Sequence, residues 1–166
     1  MKLTKFISAT LTLVLGLTVM TACSGDDDNN EPEVSTADAI AGVYTGKQVQ
    51  TVTMGGTQMD AGTYDDFSYT ITATSVDEVS ITIPQHNMSG QATMVIPEMT
   101  VTGVKVSLSN GVYTLARTEN TQQSGGMRFK TTLQGTVEGN VLKLETASTP
   151  GSMPVPIIAS FTGTKK

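Results

Sequence analysis

Met127-Arg128-Phe129-Lys130-Thr131-Thr132-Leu133-Gln134-Gly135-Thr136-Val137-Glu138-Gly139-Asn140-Val141-Leu142-Lys143-Leu144 is the stretch that decides the fold class. Met127, Phe129, Thr131 and Leu133 alternate with Arg128, Lys130 and Thr132. That is the period of a strand with one face buried, since successive side chains point to opposite sides of a sheet. Glu138-Gly139-Asn140 then separates Val137 from Val141, as the turn of a hairpin would.

The same pattern recurs on both sides of this stretch. Phe67, Tyr69, Ile71 and Ala73 alternate with Ser68, Thr70 and Thr72. Val79, Ile81 and Ile83 alternate with Ser80 and Thr82 before Pro84 stops the run. Val104, Val106 and Leu108 lead into Ser109-Asn110-Gly111, a strong hairpin signal. Ile157, Ala159 and Phe161 close the chain, and Gly55-Gly56 and Ser124-Gly125-Gly126 mark further turns. Strands are expected near 42–53, 65–74, 77–83, 91–96, 99–108, 111–118, 127–137, 141–147 and 156–163. These are eight or nine, depending on whether 91–96 and 99–108 are one strand bent at Pro97. Such a meander hides its edges by closing, so an all-β, eight-stranded antiparallel up-and-down barrel is expected. Its first strand, Gly42 to Thr53, would lie beside its last, Ile157 to Gly163; an open two-sheet sandwich is the alternative. Residues 39–166 are enough for one domain with a sizeable core, and a single cysteine excludes an internal disulfide.

The head of the chain has a different character. Lys2 and Lys5 precede a mostly apolar run, Phe6 to Met20, that is short for a spanning helix of ~20 residues. Residues 1–22 therefore read as a cleaved export signal. Met20-Thr21-Ala22-Cys23 resembles a lipobox, although Leu is more usual than Met at its first position. The resemblance implies that Cys23 is lipidated and becomes the first residue, anchoring the protein to a membrane. The plainer alternative is an ordinary signal peptide that leaves Cys23 as a stray thiol. Residues 23–38 read as the lipidated cysteine and a flexible acidic tether, because Ser24 to Glu33 has no apolar residue to bury. Acidic residues just after the cysteine also resemble the signal that sends Bacteroidetes lipoproteins to the outer face of the outer membrane; a plain solvated spacer is the alternative. The net charge of −5 is concentrated in this tether. From Val34 onward eight basic residues face ten acidic ones, so there is no basic stripe for nucleic acid.

Three stretches together resemble one family: Gly42-Val43-Tyr44-Thr45-Gly46, the hairpin of Leu133 to Leu144, and Gly151-Ser152-Met153-Pro154-Val155-Pro156-Ile157 running on to Phe161-Thr162-Gly163. They are similar to the calycin-like (lipocalin-like) β-barrel lipoproteins of Bacteroidetes, over about residues 39–166. The resemblance implies a lipocalin-like eight-stranded barrel. Lipocalins proper open with Gly-x-Trp; here Tyr44 stands at that place, the chain has no Trp, and no Arg follows Arg128. Lipocalin ligand chemistry therefore does not carry over residue by residue.

Chemistry-bearing residues are sparse. His86, the only histidine, reads as a solvated residue of a loop, with Ser89 the nearest following serine. One histidine without a free cysteine does not make a metal site, and no serine sits in a nucleophile elbow. Asp65-Asp66 and Asp77-Glu78 read as charged strand starts, since neighbours on a strand point to opposite faces. The stretch from Asp60 to Asp66 reads as a polar loop. Seven methionines remain after residue 22, at 54, 59, 88, 94, 99, 127 and 153. They read as gap-filling core residues or, alternatively, as the lining of a barrel mouth. No catalytic residue, metal site or cofactor is expected, and the domain is not expected to be an enzyme. The expected function is binding of a small apolar or amphipathic ligand inside the barrel, with Phe67, Tyr69, Ile71, Val79, Ile81, Phe129 and Leu133 as its lining. The alternative is a protein-interaction module of a surface complex. A cavity of ~300 Å³ or more would favour the ligand, and a packed interior with an exposed apolar patch the partner.

Overall fold

The computed structural model describes residues 35–88, 94–124, 126–151 and 155–166. The export signal, Cys23, the tether up to Val34, Ser89 and Met153 lie outside the described residues. The elements are α1 (Thr36–Ile40), β1 (Gly42–Met54), β2 (Thr57–Ser75), β3 (Glu78–Ile83), β4 (His86–Met88), β5 (Met94–Ile96), β6 (Met99–Ser109), β7 (Val112–Ser124), β8 (Met127–Glu138), β9 (Val141–Pro150) and β10 (Ile157–Lys165).

Eight strands close a barrel in the order β1-β10-β9-β8-β7-β6-β3-β2, and β4 and β5 form a separate two-stranded ribbon. The first and last strands pair from Tyr44 with Lys165 to Val52 with Ile157, which excludes the open sandwich. Of the run expected at 91–96, residues 91–93 lie outside the described residues; residues 94–96 do not extend β6 but pair with β4, and Pro97 stands outside both strands. Two strands are much longer than expected. β7 runs on to Ser124 through polar residues, and β2 starts at Thr57 rather than near 65.

The polar stretch from Asp60 to Asp66 is therefore strand, not loop. Its register with β1 slips twice, between Gly46 and Gln48 and between Gln50 and Thr51. At the first slip Asp65 and Asp66 together oppose Lys47, so both face solvent although they are neighbours. A bulge does this by adding one residue to a strand. Lys47 Nζ lies 3.8 Å from Asp65 Oδ1.

Strand direction alternates around the barrel, so its two ends differ. At the lower end α1 straddles the expected boundary at residue 38, and residues 35–38 are packed structure rather than tether. Ser35 caps the helix by accepting from the Asp38 amide at 3.1 Å. Ser35 Oγ, Thr36 Oγ1 and the Ala37 amide all donate to the Val76 carbonyl. Ala37 and Ile40 are buried, and Tyr44 Oη donates to the Ile40 carbonyl at 2.8 Å. The helix thus covers the lower end.

Between the ends the interior is filled. Tyr44, Phe67, Tyr69, Ile71, Val79, Ile81, Leu115, Phe129, Leu133, Val137, Leu142, Leu144 and Phe161 are all buried in one cluster. Neighbouring strands approach closely beside this core. A Cβ on Gly46 would sit 2.2 Å from the Thr162 carbonyl oxygen, and one on Gly135 would sit 2.3 Å from that of Lys143. The wall is not uniform. β6 and β7 pair only from Val106–Leu115 to Ser109–Val112. Above that, side chains bridge them: Gln122 Oε1 accepts from the Thr100 amide at 3.2 Å and Asn120 Oδ1 from the Thr102 amide at 3.1 Å.

Candidate functional site

The upper end is built differently from the lower one. β1 ends there at Met54, β2 enters past Met59, and β6 and β8 begin at Met99 and Met127. The β4–β5 ribbon sits there too, with Met88 opposite Met94. Every described methionine of the domain is at this one end. Met99 is buried, Met88 and Met94 are packed against the core, and Met54, Met59 and Met127 are exposed. The set divides between the two readings of the sequence, core filler below and mouth lining above.

Below the methionines the apolar core gives way to a polar layer. Gln48, Gln50, Thr131, Thr146 and Ser148 are buried. Parity puts them there: Tyr44, Gln48, Gln50 and Val52 share one face of β1, as Leu142, Leu144, Thr146 and Ser148 share one face of β9. Tyr69 Oη donates to Gln48 Oε1 at 2.6 Å, and Thr131 and Ser148 hydroxyls meet at 3.1 Å. Burial raises the Tyr69 pKa well above that of a free phenol, with a smaller opposing effect from Thr146.

His86 is not a solvated loop residue. It opens β4, is half-buried, and stacks edge-on against Tyr64 and Phe67 with centroids 5.7 and 5.0 Å away. Its Nδ1 lies 2.8 Å from the Pro84 carbonyl, which only accepts, so Nδ1 carries the proton. Nε2 is then a bare lone pair, and it meets Gln50 Nε2 at 2.7 Å. The orientation of Gln50 follows: its amide group donates to His86 and its carbonyl points elsewhere. Burial depresses the His86 pKa, with the Pro84 hydrogen bond opposing the shift, so the ring is neutral at pH 7.

Two atoms of the polar layer have no partner among the described residues, Gln48 Nε2 and Gln50 Oε1. They border a chamber lined by Gln48, Gln50, Tyr69, Ile83, His86, Ile96, Met99, Thr146, Ser148, Ile157 and Ala159. Its volume is about 10 Å³. Among the described residues no charged side chain lines it. The ribbon covers it through His86 and Ile96, and Tyr64 Oη donates to the Asn87 carbonyl to hold the ribbon down.

The expected lining residues are placed less simply. Phe67, Tyr69, Ile71, Val79, Ile81, Phe129 and Leu133 all face inward. Only Tyr69 borders the chamber; the other six fill the core beneath or beside it. This chamber falls far short of ~300 Å³. A wider depression of about 490 Å³ lies on the outer wall over Gly135, edged by Thr114, Gln134, Thr136, Lys143 and Glu145. Asp77 and Glu78 lie at the lower end, both within 3.3 Å of Lys105 Nζ. The hydrogen bond to Lys105 lowers the Asp77 pKa. Among the described residues no three His, Cys, Asp or Glu side chains gather as metal ligands.

A closed eight-stranded antiparallel barrel is the architecture of the calycin class. The chain belongs to the calycin-like β-barrel domain family, whose match covers residues 40–164. It is also similar in structure to a Bacteroides fragilis protein provisionally assigned to the outer membrane, with a TM-score of 0.64 and 26% identity. The match covers 80% of this chain and 53% of that one, so the chain spans about half of that protein's length. No curated protein matches the sequence.

Proposed function

We propose that this is a lipid-anchored binding protein of the cell envelope, attached to the outer membrane at Cys23, exposed at the cell surface, and working through the upper end of its barrel. The ligand is a small amphipathic molecule. Its apolar part lies on the exposed methionines and the ribbon, and its polar group stays at the rim, because the chamber of about 10 Å³ holds no more than one water. The observation that carries this reading is the buried polar layer with two unpartnered amide atoms. Burying a polar group without a partner costs on the order of 1–3 kcal/mol, so a purely structural core would favour apolar residues there. The packed core below explains why the ligand stays at the mouth. The likeness to an outer membrane protein and the lipobox-like Met20-Thr21-Ala22-Cys23 support the location.

Binding without catalysis fits the inventory. The chamber lining contains no carboxylate, and its histidine already shares both ring nitrogens with Pro84 and Gln50. A protein partner is the second reading, favoured by the filled interior and by the exposure of Met54 and Val95 at 54% and 48%. Native mass spectrometry of the mature protein extracted from membranes tests the choice. The ligand reading requires a defined small-molecule adduct; a stoichiometric protein adduct without one would establish the partner instead.

A further inference from the structure

The covering of the upper end is built like a hinged flap, whichever partner that end meets. β3 and β6 pair up to Ile83 opposite Met99, and the ribbon starts with His86 opposite Ile96. Pro84-Gln85 on one side and Pro97-Glu98 on the other interrupt the hairpin at one level. A proline has no amide hydrogen to give to a ladder, so the break crosses both strands. Beyond it β4 and β5 form their own sheet and do not join the barrel ladder. Side chains therefore hold the ribbon down. Ile96 is buried, His86 packs edge-on against Tyr64 and Phe67, and Gln50 bonds to His86.

The Gln50–His86 bond belongs to a set of hydrogen bonds that all run one way. Tyr69 Oη donates to Gln48 Oε1, Gln50 Nε2 donates to His86 Nε2, and His86 Nδ1 donates to the Pro84 carbonyl. Between them Gln48 Nε2, a donor, and Gln50 Oε1, an acceptor, border the same chamber without a partner among the described residues. A volume of about 10 Å³ is room for one water and nothing larger, and a buried water takes about three polar partners. We propose that one water bridges Gln48 to Gln50, and that the completed chain is a latch that holds the ribbon shut and releases it when His86 takes up a proton. The water accepts from Gln48 and donates to Gln50, and the Thr146 and Ser148 side chains line the same chamber. A proton on Nε2 would face the Gln50 amide hydrogens. Turning that amide over would meet the proton, but would aim two amide N–H groups at one water and leave the charge buried. Gln50 from β1, Tyr64 and Phe67 from β2 and Ile96 from β5 adjoin the ring, with Tyr69 across the chamber. The phenols are the titratable groups among them, and none is a carboxylate or a cation. Lifting the ribbon returns the charge to water and relieves both conflicts.

NMR on the isotope-labelled mature chain carrying Cys23→Ser tests this. At pH 7.5 the Gln48 Nε2 hydrogens are expected to show a rotating-frame contact with a long-lived water. Hydrogen-exchange protection, corrected for the intrinsic pH dependence of exchange, is then measured at pH 7.5 and 5, with and without dilute urea. In the open state the ring recovers its ordinary pKa of 6.5, which limits the gain in opening at pH 5 to about thirtyfold. The hydrogen-bonded amides of residues 86–88 and 94–96 are expected to lose about tenfold in protection at pH 5. They should exchange faster than Leu142 to Leu144 of β9 and ignore the urea, as a local opening with the barrel intact requires. In His86→Gln the loss at pH 5 is expected to vanish. Four results would each overturn the proposal: no water contact at Gln48, no loss of ribbon protection at pH 5, ribbon exchange at the rate and urea dependence of β9, or an equal loss in His86→Gln. The first three need only the unsubstituted latch, so they decide the matter even if His86→Gln does not fold.

Discussion

The Nε2 atoms of Gln50 and His86 lie 2.7 Å apart, joining the inner face of β1 to the ribbon that covers the barrel's upper end. The bond exists because Pro84 fixes the histidine proton on Nδ1. It makes the chain's only histidine part of the covering rather than part of a loop.

A pH dependence follows. Protonation would put a hydrogen on Nε2 facing the Gln50 amide hydrogens. The folded His86 pKa is lowered from its ordinary value of 6.5, so below that pH the unfolded chain binds the proton first. The stability this site contributes is complete above about 6.5 and declines as pH falls toward the folded pKa. Thermal melts between pH 7.5 and 5 should show a fall in Tm that is smaller in His86→Gln. Equal slopes in the two proteins would remove His86 from the account.

The glycines separate close crossing from turn conformation. Gly135→Ala puts a methyl 2.3 Å from the Lys143 carbonyl oxygen and should cost about 3 kcal/mol or more. Gly139→Ala meets nothing within 4 Å but keeps a φ of +54°, and should cost only about 1 kcal/mol. Urea unfolding of both variants checks the order.

The covering of the lower end should be separable into packing and capping. Ile40→Ala removes a buried side chain and should destabilise by about 2–4 kcal/mol. Ser35→Ala removes the cap and should cost about 1 kcal/mol.

The upper seam between β6 and β7 makes a local prediction. Asn120→Ala takes the acceptor from the Thr102 amide without touching the core. Hydrogen exchange at Thr102 should quicken while that at Val106, below the seam, stays unchanged. Uniform acceleration would mean that the side-chain bridge supports the whole barrel.

Much of this architecture is legible in the sequence because alternation is strict where one face is apolar. Phe129 to Val137 and Ile157 to Phe161 are such runs, and their closure follows from hiding two edges. The helix is not legible: Ser35-Thr36-Ala37-Asp38 has a capping serine but only five helical residues, too few for a helical period. β2 hides its start because a bulge places Asp65 and Asp66 side by side, against the alternation. The site was missed because Gln48 and Gln50 are polar and Val49 between them is not. Composition turns that stretch inside out, whereas counting by twos from the buried Tyr44 places both glutamines inward. His86 misled for a related reason: the ribbon it opens has only three residues in each strand.

The central claim is that ligands meet the methionine-rimmed upper end and not the helix-covered lower one. The chain has no tryptophan, so a single one reports its own position. Val95 lies on the ribbon at the upper end and Leu108 near the lower one, 48% and 50% exposed. Val95→Trp and Leu108→Trp should each be titrated with hexanamide while tryptophan emission is followed. The account predicts a saturable change from Val95→Trp and none from Leu108→Trp; a saturable response at Leu108→Trp with none at Val95→Trp would contradict it.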